Sequence, residues 1–346
     1  MSNFRVPVVQ IGKIGKHPNA DSLSITTVEG CPCIFRTGDF EEGSLAIYIP
    51  VDAVVPETVP GTEFLGKKRR IKAAKLRGIF SMGILLPLFH TGTPIIPMTH
   101  QIGDDVAGAL GITKYEEPIP LHMQSEMSPA PKTLHHPPTY DMESYRKYKH
   151  LLVPGEQIVV TEKIHGTNSR FVYFDDAMHV GSHHGWKKLD ESNLWWRIAK
   201  QYNLEKVCKE QPGMILYGET YGQVQDLKYG TAKNELKLAI FDIFDSALGM
   251  WLDYESTDPV PPVYSFVEFC QFYELPMVPV LHKGTYIPEV VELMCDGPSA
   301  ASTVSQIREG IVIKPIRERW NQETGRTIFK LVGENYLTRK GGTELH

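Results

Sequence analysis

The first third of the chain is a series of short apolar runs separated by turn residues. Residues 6–14 (VPVVQIGKI) read as a strand, residues 44–50 (SLAIYIP) alternate around Ile47 and Ile49, and residues 83–89 (GILLPLF) supply a third. Between them, HPNADSL at 17–23 gathers the proline, asparagine and aspartate typical of turns. With no long helical period in this region, residues 1–115 are expected to form a small β-barrel. Residues 116–140 carry six prolines and almost no periodicity, the pattern of an extended connector. From 141 to 346 strands return in greater length: residues 155–163, 169–176, 214–220, 238–245, 309–316 and 326–332. A helical period opens near Asp190 or Ser192, either of which suits an N-cap, and runs through Leu194, Trp195, Ile198, Tyr202 and Val207. Its paired tryptophans read as packing residues rather than a base-stacking platform. Many strands and few helices make the fold class α+β, a β-barrel followed by a domain built on antiparallel sheets.

Composition narrows the class further. The 346 residues are 42% apolar and 22% charged, which suits a folded chain of two domains. No apolar run reaches a membrane span and the first residues lack a secretory h-region, so a membrane partner and secretion are not expected. The five cysteines have no framework spacing, which points to free thiols in the cytoplasm, or the nucleoplasm of a eukaryote. The net charge of −5 leaves nucleic-acid binding to a local basic surface. Residues 67–77 (KKRRIKAAKLR) are the densest basic run. Lys67, Lys68, Arg69, Arg70, Lys72, Lys75 and Arg77 are the candidates to track a phosphate backbone.

The second domain gathers the candidate chemistry. Lys163 ends an apolar strand and precedes Ile164-His165-Gly166-Thr167-Asn168. A lysine at a strand-to-turn junction can point into a cavity, and the glycine permits close approach of a phosphate. It can act as a nucleophile only when deprotonated. Glu219 closes one strand, while Glu309 and Lys314 stand five positions apart around another. In a regular strand those two face opposite sides, so one of them belongs to a bend or to a different part of the site. Lys330 lies among apolar neighbours, where a cation needs an anionic partner such as a triphosphate. Phe241 can stack on a base. A nucleophilic lysine, further lysines for phosphate, carboxylates for a divalent cation or a ribose hydroxyl, and an aromatic for a base form a kit for phosphoryl transfer.

In this kit EKIHGTNSR at 162–170 resembles nucleotidyltransferase motif I of the RNA ligases. YGE at 217–219, AIFDIF at 239–244, EGIVIK at 309–314 and IFKLV at 328–332 resemble motifs III, IIIa, IV and V, in the family order. The chain thus resembles the ATP-dependent RNA ligases of the covalent nucleotidyltransferase superfamily. Its first domain is similar to the N-terminal OB-like domain of the Deinococcus/Naegleria-type enzymes. The resemblance implies an OB-like nucleic-acid-binding domain at 1–115 and a nucleotidyltransferase domain at 141–346. It implies ATP and Mg2+ (or Mn2+) as cofactors, with AMP carried on Lys163. The implied substrate is nucleic acid with an RNA 3′-OH end at a nick or break. Glu219 would serve the ribose or metal and Glu309 the metal. Lys314 and Lys330 would touch phosphate. His165 and Asn168 would orient the phosphate and the strand end, and Glu162 and Ile164 would flank the adenine. Two departures stand out. His183, with Lys187 nearby, occupies the place where related ligases commonly carry a motif Ia arginine, and Val332 stands where many have a second motif V lysine. A DNA ligase, a capping guanylyltransferase or a nucleic-acid-binding protein with an inactive catalytic domain are the alternatives.

Overall fold

In the computed structural model the described residues are 4–116, 126–133, 135–256 and 265–343. The chain divides into two compact units, residues 2–116 and 117–346.

In the first unit, Leu45–Ile49 is the central strand of a three-stranded antiparallel sheet between Val8–Gln10 and Ile84–Pro87. Gly15–Lys16, Leu23–Val28 and Cys31–Arg36 form a second three-stranded sheet. Val8, Ile47, Ile49 and Leu86 fill one core, while Cys33, Phe35, Phe40 and Tyr48 fill another. A closed barrel is not formed among the described residues. The free edge of Cys31–Arg36 meets residues 81–83 through isolated bonds: Ile34 N–H donates to Ser81 Oγ (3.0 Å) and Met82 N–H to the Pro32 carbonyl (2.8 Å). A proline at position 32 has no N–H to return such a bond, so this seam does not extend into a ladder.

The second unit carries two sheets. The larger has seven antiparallel strands in the order Met127–Ser128, Gly185–Lys187, Ala177–Ser182, Thr167–Phe174, Met214–Gly222, Leu236–Asp245 and Met250–Trp251. The smaller has the order Glu143–Ser144, Phe329–Val332, Gly310–Pro315, Gln157–Lys163, Val280–Thr285, antiparallel except for its first pair. The described part of the proline-rich stretch is built into the larger sheet. Met127–Ser128 is its edge strand, and Tyr217 Oη donates to the Pro138 carbonyl (2.8 Å). Residues 117–125 and 134 of that stretch lie outside the described residues.

One face of the larger sheet is apolar and covered by helices. Phe171, Leu216, Leu238 and Ile240 pack there against Leu194, Trp195, Ile198, Val207 and Phe269, each fully buried aliphatic or aromatic side chain contributing about 1.5–3 kcal/mol. The helical period of the sequence is divided into Leu194–Gln201 and Leu204–Glu210, because Asn203 sits at φ 51°. The N-cap of the first helix is Asn193, whose side chain accepts from Trp196 N–H (2.9 Å), rather than Asp190 or Ser192. Trp195 is buried in this core and Trp196 packs at its edge.

Candidate active site

Strand alternation puts the chemistry between the two sheets. Ile158 and Val160 enter the core on the outer side of the smaller sheet, with Ile311, Ile313, Phe329 and Leu331. Val159, Thr161 and Lys163 therefore point to its other face, as do their ladder neighbours Val312 and Lys314 and, one strand further, Lys330. Across from them the larger sheet presents Asn168, Arg170, Tyr217, Glu219 and Asp242, which its register places on one face. Phe241 is the extra residue of a bulge between Tyr217 and Gly218, and its half-buried ring lies 4.6 Å from that of Tyr140.

At one end of this cleft Lys163 Nζ donates to Glu309 Oε1 at 2.5 Å. Glu309 immediately precedes the strand Gly310–Pro315, and it and Lys314 serve different ends of the cleft. The next residue, Gly310, passes so close to the Leu331 carbonyl that a Cβ would clash with it. Burial pushes the Glu309 carboxyl up, but Lys163 and the His165 ring, 3.6 Å from its Oε2, prevail and hold it at about 2. Its Oε2 is buried and has no hydrogen-bond donor. Glu219, half-buried beside this pair, is pushed up to about 8 by burial, with the Glu309 charge adding to the rise and Lys163 opposing it. Asn168 is the register partner of Glu219. Its carbonyl accepts from Trp195 Nε1 (3.0 Å), while its buried Oδ1 has no donor.

His165 lies beside Glu309, its Nδ1 3.6 Å from Oε2, but its ring is committed to the protein. Its Nε2 meets Asp226 Oδ1 at 2.8 Å, its Nδ1 meets Tyr336 Oη at 2.8 Å, and its backbone N–H donates to Tyr229 Oη at 2.6 Å. Burial alone would lower the imidazole; the hydrogen bond to Asp226 and the nearby Glu309 carboxylate raise it instead. Both ring nitrogens are occupied, so the residue is an anchor for the loop after Lys163. Ile164 is buried with Tyr221, Tyr229 and Val278, and Phe241 packs on the edge of this cluster. Gly166 makes its close approach to the Thr220 carbonyl, where a Cβ would clash, rather than to a phosphate. Glu162 alternates to the other face. Its carboxylate accepts from Ser299 Oγ (2.5 Å) and from the N–H groups of Ala300 (2.6 Å) and Ala301 (3.3 Å), so its side chain secures a loop instead of presenting an edge to adenine.

Lys314 is likewise no free phosphate ligand. It lies four register steps from the Lys163 partner Gly310, about 13 Å along the strand. Its buried Nζ contacts Asp242 Oδ1 (3.1 Å) and Glu318 Oε1 (3.0 Å). Arg326 binds the same two carboxylates, at 2.6 Å to Asp242 Oδ2 and 2.6 Å to Glu318 Oε1. Burial pushes the Glu318 carboxyl up, but Lys314 and Arg326 hold it well below the usual carboxylate range. Lys330 is half-buried on the cleft side, and its charge acts on His183 and Asp141. His183 Nε2 is 3.8 Å from Asp141 Oδ1, and burial lowers its imidazole. Lys187 pairs with Val180 of the helix-covered core, and its Nζ lies 4.7 Å from the Trp195 ring. It therefore points to the opposite face of the sheet from the cleft. Arg170, which the sequence reading passed over, is a buried cleft-side cation whose Nε donates to the Ser182 carbonyl (3.0 Å). Asp226, Tyr336 and Arg339 were also unmarked in the sequence, and no local pattern signals them.

In the first unit the basic run divides. Arg69 is spent on the fold, donating to the carbonyls of Val55 (2.7 Å), Pro56 (2.5 Å) and Thr62 (3.0 Å) and to Thr62 Oγ1 (2.7 Å). Arg70 pairs with Asp52 (2.7 Å) and stacks on Tyr115 at 3.8 Å. Lys67, Lys68, Lys72, Lys75 and Arg77 are exposed. The HPNADSL turn grips the far end of the run: His17 Nε2 meets the Leu76 carbonyl and Asn19 Nδ2 the Arg77 carbonyl, each at 3.0 Å.

Among the described residues no group of three or more His, Cys, Asp or Glu side chains forms a cage for a metal ion. The Lys163 end still suits a hard divalent cation shared with phosphates. Mg2+ is commonly held by one or two carboxylates with phosphate and water completing the shell, and here Glu309 and Asn168 each offer a buried oxygen without a donor.

A lysine held by a carboxylate lies beside a second acid between the two sheets. The RNA ligase family model matches residues 156–332, just over half of the chain, and an OB-fold domain model matches residues 6–88. The chain belongs to the RNA ligase family, with an OB-fold domain at its N-terminus. It is an RNA ligase. No match was found among curated proteins. Among solved structures, Naegleria gruberi RNA ligase with PPi is similar at 23% identity and a TM-score of 0.80, over 97% of this chain and 98% of that one. A mutant of that ligase with ATP and Mn matches at 23% identity and a TM-score of 0.80 over 96% and 98% of the two chains. Another mutant, with AMP and Mn, matches at 23% and 0.80 over 97% and 98%. At this identity the likeness establishes a shared fold.

Proposed function

We propose that this ligase uses ATP with Mg2+ (or Mn2+) to join an RNA 3′-OH end to a 5′-phosphate, acting on nicked duplex in repair. The reading rests above all on Lys163, held at 2.5 Å by a carboxylate whose other oxygen has no donor. The ammonium against Glu309 is not a nucleophile until its proton has left. Lys163 Nζ then attacks the α-phosphorus, an N–P bond forms, and the bond to pyrophosphate breaks. A divalent cation bound at Glu309, with Glu219 beside it, would neutralise phosphate charge and relieve the hold of the carboxylate on the lysine. Lys330 supplies positive charge from the same sheet face as Lys163, Asn168 Oδ1 serves the ribose or the metal, and Phe241 serves the base. AMP next passes from Lys163 to the strand 5′-phosphate, and the 3′-OH displaces it. The Naegleria ligase structures with ATP and Mn, with AMP and Mn, and with PPi support nucleotide and metal in such a site. Lys67, Lys68, Lys72, Lys75 and Arg77 are the surface on the OB-fold domain for the strand backbone.

The test is sealing of matched 5′-phosphate nicks in a duplex that differ only in an RNA or a DNA 3′-OH end. The reading expects joined product from the RNA end and little from the DNA end. Equal sealing of an all-DNA nick would replace it with a DNA ligase.

A further inference from the structure

We propose that residues 333–343, which follow the stretch matched by the ligase family model, are a positioning element of the active site that locks His165 through Tyr336 and Asp226. The proposal rests on the adenylylation reading for its kinetic effect, but its geometry stands independently. The segment leaves the site at Glu309 itself, where Gly333 N–H donates to the Glu309 carbonyl (2.9 Å). Asp296 accepts from the N–H groups of Glu334 and Asn335 (3.1 Å each), which fixes the start of the short helix Glu334–Leu337. Tyr336, fully buried, puts its hydroxyl on His165 Nδ1 at 2.8 Å. Arg339 stacks on the Tyr336 ring at 3.5 Å and binds both oxygens of Asp226, from Nε at 2.8 Å and from Nη2 at 3.1 Å. Thr343 N–H donates to Asp226 Oδ1 at 2.9 Å.

These contacts determine the imidazole. Burial would raise the Asp226 carboxyl, but its hydrogen bonds with His165 and Arg339 hold it far below the usual range, so it only accepts. Asp226 therefore accepts from the Nε2–H of His165, while Nδ1 meets the Tyr336 hydroxyl and lies 3.6 Å from Glu309 Oε2. With Tyr229 on its backbone N–H, His165 is tied at three points, two residues after Lys163. The turn cannot rotate without breaking one of them. Lys163 is thereby presented to Glu309 and Glu219 with little freedom, and alignment of this kind governs the rate of attack rather than nucleotide affinity.

The experiment uses the full chain and its Tyr336→Phe, Arg339→Ala and Arg339→Lys variants. The rate of covalent labelling by α-labelled ATP is measured against ATP concentration with Mg2+ or Mn2+. Tyr336→Phe keeps the packed ring and removes one hydroxyl, so folding is preserved. The maximal rate is expected to fall about 10-fold or more in Tyr336→Phe and Arg339→Ala, the range seen when partners of a site ligand are removed. The ATP concentration at half-maximal rate should change less than about 2-fold, because these residues act on alignment and not on nucleotide affinity. Arg339→Lys should recover part of the loss, since a lysine holds one oxygen where the guanidinium holds two. Labelling of all variants at the wild-type rate, or a change in half-saturation alone, would overturn the proposal. An ¹⁵N spectrum of the histidine rings provides a readout that needs no activity. His165 should give one set of ring signals in the parent and a shifted or split set in Arg339→Ala. An unchanged ring in that variant also defeats the proposal, whereas a parent that does not label but shows this shift defeats only the ligation reading.

Discussion

The two ends of the inter-sheet cleft each hold a lysine against carboxylates, and they differ in what remains unfilled. At the Lys314 end, two cations meet two acids, Asp242 and Glu318, in a buried and closed network. At the Lys163 end, one oxygen of Glu309 and one of Asn168 have no donor, and Glu219 is displaced to about 8 by burial. Full pairing makes a fixed strut between the sheets. Incomplete pairing in the same cleft leaves room for a ligand that brings its own charge. A buried lysine on a motif strand is therefore not by itself a phosphate contact, and its partners distinguish the two uses.

The largest effect that would sharpen this contrast is at Asp242. Asp242→Ala strands Lys314 and Arg326 without one of their two acids, and breaking a buried network of this kind costs about 3–5 kcal/mol. Urea denaturation should show that loss, and labelling should decline only as the folded fraction does. A variant of full stability with no labelling would move Asp242 into the reacting site and erase the distinction between the ends.

A smaller effect separates the ends by pH. The raised Glu219 carboxyl takes up a proton on folding, so it lowers stability as pH climbs from the ordinary carboxylate range toward about 8. Without nucleotide or metal, Glu219→Gln should melt higher than the parent at pH 8 and at the same temperature near pH 4. The depressed Glu309 acts in the opposite sense: its contribution is complete above the unfolded-state range and is lost only as pH falls toward about 2. No difference between Glu219→Gln and the parent at pH 8 would mean that the acid is not strained in the free protein.

The smallest effect concerns the first unit. Lys72→Ala with Arg77→Ala should leave lysine labelling unchanged. It should weaken strand binding and flatten its salt dependence by about one to two counterions. Binding titrations at several salt concentrations measure this, and an unchanged slope would remove the exposed run from the strand path.

The sequence made the strands of the second unit readable, because alternation acts over a few residues, while Lys163, Glu219 and Glu309 were marked one by one through the motif resemblance. Five positions counted against a two-residue period showed only that Glu309 and Lys314 do not share one face, by a bend or by serving different parts of the site. What escaped depends on contacts between distant segments. Lys314 carries the same local pattern as a phosphate lysine, but Asp242 and Arg326, 72 and 12 positions away, determine its role. His165 has a motif position, while Asp226 and Tyr336 are 61 and 171 residues off. Arg69 and Arg70 read as two charges in a run of seven. Their engagement by the fold follows from the path of residues 52–62, which charge counting cannot reveal. The helix break at Asn203 was masked because apolar spacing continues across it.

The most direct measurement is covalent labelling of the parent and two variants by α-labelled ATP with Mg2+ or Mn2+, in the absence of nucleic acid. The account predicts label on the denatured parent protein, none on Lys163→Ala, and label on the folded fraction of Lys314→Met. Label retained by Lys163→Ala, or lost from folded Lys314→Met, would contradict the assignment of the two ends of the cleft.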